Sequence, residues 1–264
     1  KLPEGVSGEA SGGTGNREQL DLSREEVMAA AGIKEKQSKT GDGSSASGER
    51  VLEQKQPGLY TVIWHPIGGQ PRPETLAALG ELMQTIDGTE LRLAPDETAY
   101  IINLTGAEAE KILEATKETA QTKFETSVSC IGASICQVGA RDSQALLQAC
   151  VKAVGEAQIP DGALPQIHIS GCPSSCGTHQ TGPMGFRGGV RMADGKAQPA
   201  FVFYLGGNEV QGKETMELGT MFESEIPSFL VKLGKEIAAR GLDFESYRTQ
   251  YPDGIEKAAA EYLA

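Results

Sequence analysis

No stretch of the 264 residues approaches the ~20 consecutive apolar positions that a membrane-spanning helix needs, so the chain reads as soluble, with no membrane partner. Basic residues are in the minority. Twenty-four Lys and Arg stand against thirty-six Asp and Glu, a formal charge of -12, which excludes a generally basic nucleic-acid coat. Aromatic residues make up only 5% of the chain and hydrophobic residues 39%, so part of it should bury little apolar surface and show as a tail. The first residues, KLPEGVSGEA, contain neither a Met nor the apolar core of a signal peptide, and the sequence is expected to start inside a longer gene. Cysteines are few and odd in number, five in all. Four of them fall in two tight pairs, which suits metal ligation in a reducing cytoplasm or organellar matrix better than a secreted disulfide framework.

The tail is legible at the N-terminus. Residues 1–56 are rich in Gly, Ser, Glu and Lys, as in GEASGGTG and SKTGDGSSASGER, and are expected to form a disordered or weakly structured linker. Within it LDLSREEVMAAAGI has the marks of one short helix, with Ser23 as N-cap, Glu26 three residues on and Gly32 as the stop. Packed sequence is expected from Gly58. GLYTVIWHPI reads as a strand, PETLAALGELMQTI as a helix, TELRLA and TAYIINL as strands, and GAEAEKILEATKE as a second helix. That order, over residues 57–123, is half of a split ferredoxin-like α+β sandwich and should need a partner. Residues 124–264 change to a mixed α/β texture, with helices at DSQALLQACVKAVGEA and PSFLVKLGKEIAARG, strands at QIHIS and AFVFYLG, and Gly-rich cysteine loops between.

Cys130 and Cys136 are spaced C-x5-C; after 35 further residues Cys172 and Cys176 are spaced C-x3-C. Soft thiolates select zinc, copper(I) or iron–sulfur clusters, and structural zinc sites usually close their pairs with two to four intervening residues. The wider gap argues for the larger body of a cubane cluster, with Gly132, Gly171, Pro173 and Gly177 letting backbone amides approach its sulfurs. Zinc and ordinary redox cysteines remain the alternatives at this level. Cys150 lies in the apolar helical pattern ALLQACVKAV and reads as a small core residue. His168, alternating with Ile167 and Ile169, reads as structural, as do His179, His65 and Trp64.

The cysteine spacing with GCP-x-x-CG, followed by MGFRGG and FVFYLGGN, resembles the signature of the siroheme-dependent nitrite and sulfite reductases. ELRLAPDETAYIINL is similar to that family's ferredoxin-like half domain, although Ala94, Glu97 and Thr98 stand where the family usually carries Thr and a Gln-Asn pair. The resemblance runs from Gly58 to the C-terminal helices. It implies a ferredoxin-like half domain followed by a four-iron four-sulfur and siroheme-binding domain, the C-terminal half of a two-half enzyme. Cys130, Cys136, Cys172 and Cys176 would hold the cluster, with Cys176 also the axial ligand of the siroheme iron. Arg141 and Arg187, and more remotely Arg191, would meet the tetrapyrrole carboxylates, while Gly206, Gly207 and Asn208 match the family's turn against the macrocycle. The implied reaction is six-electron reduction of sulfite to sulfide or nitrite to ammonium, with electrons from a ferredoxin or a reductase subunit. The anion would be held mainly by the N-terminal half, so no catalytic residue is named in this chain. A precorrin oxygenase of the cobalamin pathway, an iron–sulfur electron-transfer module without siroheme and a structural zinc protein are the alternatives.

Overall fold

The computed structural model describes residues 23–32, 39–208, 212 and 215–263. The chain divides into two units, 1–38 and 39–264. In the first, helix α1 (Arg24–Ala30) is closed by a reciprocal capping box. The Ser23 hydroxyl accepts the Glu26 N–H at 3.3 Å, and the Glu26 carboxylate accepts the Ser23 N–H at 2.9 Å. Gly32, with a left-handed φ of 68°, follows the helix as the stop that its position announces. The remainder of the expected linker, 1–22 and 33–38, lies outside the described residues.

Packed structure begins earlier than Gly58, which corrects the expected linker over 39–56. Strand β1 (Val51–Glu53) pairs antiparallel with β2 (Tyr60–Trp64). The segment has little apolar surface to bury; it is attached by polar contacts that composition does not show. Lys39 forms an ion pair with Glu108 at 2.5 Å, and the Ser44 hydroxyl accepts the Ala107 N–H at 2.9 Å. Arg50 donates to the Thr116 and Leu113 carbonyls, each at 3.0 Å, at the end of a helix whose last carbonyls lack partners of their own.

The rest of this lobe follows the sequence pattern. Helix α2 (Pro73–Gln84) starts with Pro at its first position, β3 (Glu90–Leu93) and β4 (Ala99–Leu104) form a hairpin, and α3 (Gly106–Ala115) is capped by Thr105 and Glu108. The sheet order is β1-β2-β4-β3, antiparallel throughout. Val62 and Trp64 of β2 and Ile101 and Leu104 of β4, with Leu79 and Ile112 from the helices, make its core.

The second lobe has a core of its own. Strand β5 (Val128–Ser129), helix α4 (Ser143–Glu156), strands β6 (Ile167–Ser170), β7 (Met184–Ala193), β8 (Lys196–Leu205) and β9 (Met216–Phe222), and helices α5 (Ile226–Ala239), α6 (Phe244–Gln250) and α7 (Gly254–Ala259) complete the chain. The sheet runs β5-β6-β7-β8-β9. β5, β6 and β7 are parallel; β7, β8 and β9 are antiparallel. Phe186 stacks on Phe203 at 5.1 Å, and Phe203 meets Phe229 of α5 edge-on at 5.4 Å. Cys150 is wholly buried in this core, its thiol pKa pushed far above the ordinary value by desolvation. Among the described residues no helix is long and apolar enough to cross a membrane.

Candidate functional site

Both cysteine pairs leave the sheet at one end. Ser129 pairs with Ile169 in the parallel neighbours β5 and β6, Cys130 follows the first strand and Cys172 comes two residues after the second. Loops at the carboxyl ends of parallel strands are where open α/β sheets place ligands. Ser170 in turn pairs with Arg187 of β7, which brings that arginine to the same end.

Backbone hydrogen bonds stitch the two loops together. The N–H groups of Ala140 and Arg141 both donate to the Gly171 carbonyl, at 3.0 and 2.9 Å, and the Cys130 N–H donates to the Ile169 carbonyl at 3.1 Å. The Gly171 N–H donates to the Cys130 sulfur at 3.1 Å, and the Ser143 hydroxyl donates to the Cys130 carbonyl at 2.7 Å. Contact this close requires glycine. A Cβ on Gly171 would lie 2.5 Å from the Arg141 carbonyl oxygen, and one on Gly177 only 2.0 Å from the Ile169 oxygen. Ser175 and Thr178 adopt left-handed φ of 60° and 50°, conformations that cost a side chain about 1–3 kcal/mol and persist where the surroundings impose them.

The four thiols are graded in exposure: Cys172 is buried, Cys130 and Cys136 are half-buried and Cys176 is exposed. Among the described residues no three of His, Cys, Asp or Glu close on one point as the ligands of a single ion do. The sulfurs are instead offered from two loops stitched by backbone hydrogen bonds, and four soft thiols with a backbone amide on one of them are a donor set chemically suited to iron–sulfur ligation. Two buried guanidinium nitrogens beside the loops, Nε of Arg141 and Nε of Arg187, have no hydrogen-bond partner, which fits an anionic group brought in from outside.

The remaining candidates separate. Arg187 pairs with Glu217 at 3.7 Å and lies over the Tyr204 ring at 5.7 Å. Arg141 shares a region with Glu223, whose carboxyl is raised by burial against the lowering effect of that arginine. Arg191 is elsewhere: it donates to the Tyr262 carbonyl at 3.0 Å and covers the Phe222 ring at 4.3 Å, anchoring the C-terminal segment. Gly206, with φ of 92°, ends β8 where Leu205 pairs with Met184, three positions along β7 from Arg187 or about 10 Å. A Cβ on Gly207 would strike the Gly182 carbonyl oxygen at 2.4 Å, so this turn packs on the far part of the second cysteine loop, with Asn208 exposed.

His168 is buried and bonds Thr178 at 2.8 Å, a structural role as its strand position indicates. His179 is buried within 3.2 Å of the Ser175 hydroxyl, and desolvation together with Arg187 pulls its pKa down to about 4, so it is neutral at ordinary pH. Sequence reasoning passed over Glu97, Ser143 and Gln144 as site residues. Glu97 carried a signal, as a departure from the family pattern, whereas a Ser-Gln pair opening a helix carries none.

No protein-family model matches the chain. The ferredoxin–nitrite reductase of Leptolyngbya laminosa is 28% identical over 184 residues, 67% of this chain and 35% of that protein. Its counterpart in Synechococcus elongatus is 29% identical over 170 residues, 60% of this chain and 31% of the relative. Sulfite reductase [ferredoxin] 1 of Mycolicibacterium paratuberculosis is 24% identical over 161 residues, 57% and 29% of the respective chains. The structure of Mycobacterium tuberculosis NirA protein superposes with a TM-score of 0.62 at 19% identity, over 81% of this chain and 42% of that one, a likeness of fold. The chain spans about a third of the length of the curated relatives it matches.

Proposed function

We propose that this chain, a relative of the nitrite and sulfite reductases along roughly three fifths to two thirds of its length, is the cluster-bearing portion of an enzyme that reduces sulfite to sulfide or nitrite to ammonium. The observation that carries the reading is the joining of two cysteine loops at the carboxyl ends of β5 and β6, with two unsatisfied arginine nitrogens at their margin. Cys130, Cys136, Cys172 and Cys176 would hold a four-iron four-sulfur cluster, with Cys176, the exposed one of the four, available to siroheme as well. The bound cofactors supply one-electron steps and an open iron position for a small anion.

This chain's own residues place and neutralise. The Gly171 N–H softens charge on the Cys130 sulfur, and Arg141 and Arg187 would offer their guanidinium groups to the tetrapyrrole carboxylates. Glu217 lies 3.7 Å from an Nη of Arg187 and leaves its buried Nε free for such a carboxylate. Gly206 and Gly207 pack on residues 181–183 at the end of the second cysteine loop, and Asn208 would turn its side chain to the macrocycle. The anion-holding side chains come from the N-terminal half of the enzyme and the electrons from a ferredoxin or reductase subunit, in the cytoplasm or an organellar matrix where the thiols stay reduced.

The visible spectrum of anaerobically prepared protein, reconstituted with siroheme where the host under-supplies it, tests this. Intense Soret and red-region bands over cluster absorption are expected. Broad brown absorption alone would reduce the reading to an electron-transfer module, and a colourless zinc-loaded product would end it.

A further inference from the structure

Where the two lobes meet, polar side chains close on the residue just ahead of Cys130. Glu97 comes from the β3–β4 loop of the first lobe with a left-handed φ of 66°, and its Oε1 accepts the Ser129 N–H at 2.9 Å. Gln144, in the first turn of α4, donates from Nε2 to the Ser129 carbonyl and to the Gly68 carbonyl of the first lobe, each at 2.9 Å. Both backbone groups of Ser129 are thus held by side chains, one belonging to the first lobe and the other tied to it. β5 has two residues and lies at the edge of its sheet, so its own ladder does little to place it.

We propose that Glu97 and Gln144 form a clasp between the lobes that grips Ser129 and thereby aims Cys130 at the cluster, with Glu97 as the positioning residue. The aiming rests on Cys130 being a cluster ligand, as proposed above; the clasp is a property of the polypeptide alone. Its cost is visible. Glu97 Oε2 and Gln144 Oε1 are buried without partners, and the loop that receives them is built around their bulk. A Cβ on Gly68 would lie 2.5 Å from Gln144 Oε1, and one on Gly69 would lie 3.2 Å from the Glu97 Cβ; both glycines have φ of 65°.

The test uses the full chain twice, metal-free for hydrogen exchange at the Ser129 amide, and after anaerobic loading with iron and sulfide for the midpoint potential and EPR signal of the cluster. Glu97→Ala is expected to speed exchange at Ser129 about tenfold and to shift the potential. Glu97→Gln keeps an acceptor oxygen and should restore protection to within about threefold of the parent. Gln144→Ala, which frees the Ser129 carbonyl and the Gly68 link, should loosen the same amide and stands in if Glu97→Ala does not fold. Unchanged exchange in the variants overturns the clasp. Faster exchange with the potential and EPR signal of the parent overturns the aiming of Cys130. A parent chain that takes up no iron–sulfur cluster fails the ligand reading and the aiming with it, while the exchange data still decide the clasp.

Discussion

Among the described residues Glu97 and His179 carry acid–base shifts that pull in opposite directions. Burial, opposed by the Ser129 N–H and assisted by Asp96, raises Glu97 from the carboxylate range to about 7. Between about pH 4.5 and 7 the folded state therefore binds the extra proton, and stability falls as pH rises through that window. His179 is lowered to about 4, so between that value and about 6.5 the unfolded state binds more protons and stability rises with pH. The two slopes offset in the parent chain. Glu97→Gln removes one of them: urea denaturation should show the variant more stable than the parent by about 1–3 kcal/mol at pH 8, little different at pH 5, and with stability climbing as pH rises over the histidine's range. A parallel pair of titration curves for parent and variant would refute the assignment of that carboxyl.

The cysteines divide at the same scale. Cys150 is sealed in the second core with its thiol held protonated, so Cys150→Ala should cost about 1 kcal/mol in denaturant and leave bound iron unchanged. Cys172→Ser should instead abolish stable iron content while the metal-free chain unfolds near the parent midpoint. An equal loss of iron from both variants would remove the distinction between core and ligand thiols.

At the scale of elements, helical and strand periodicity marked most of what folds. α2, α3, α4 and α5 stand where apolar spacing places them, and α1 has the caps its Ser23, Glu26 and Gly32 announce. β1 was not legible. Val51, Leu52 and Glu53 are too short a run to stand out in polar surroundings, and the segment is held by Arg50, Lys39 and Ser44 reaching residues more than sixty positions away. β8 was half legible: its buried end, Phe201–Leu205, is apolar, while Lys196–Pro199 is exposed in a hairpin beyond the core. Arg50→Ala should destabilise by about 2–3 kcal/mol because it abandons partly buried helix-end carbonyls, far more than the ~0.5 kcal/mol expected of a linker residue. Thermal or urea unfolding of the variant decides between these.

At the largest scale, two lobes with separate cores make up the unit 39–264, and the cysteine loops occupy the end of the second sheet nearest the first lobe's Gly68 and Glu97. Apolar side chains are left in water beside Cys136 and on the edge of the first lobe's sheet. Ile135 is 74% exposed and Val138 71%, both beside Cys136, and Leu93 on the edge strand β3 is 80% exposed. Large apolar side chains exposed in this way favour association with another apolar surface. Val138→Lys should therefore reduce self-association of the isolated chain in analytical ultracentrifugation while moving its stability by no more than about 0.5 kcal/mol. Undiminished association would place the sticky surface elsewhere.

Local chemistry determined helices α1 to α5, the strands read from their apolar runs, the glycine-rich cysteine loops and the kinship they signal, because each depends on neighbours within a few residues; α6 and α7, seven and six residues long, were too short to stand out. Which sulfur is buried and which exposed, the withdrawal of Arg191 to the C-terminal segment, the ion pair that occupies Arg187 and the meeting of Glu97 with Ser129 were decided only by the tertiary fold. Those contacts join residues about 30 to 70 positions apart, and no periodicity within one element encodes a partner that only sheet order and lobe packing bring near.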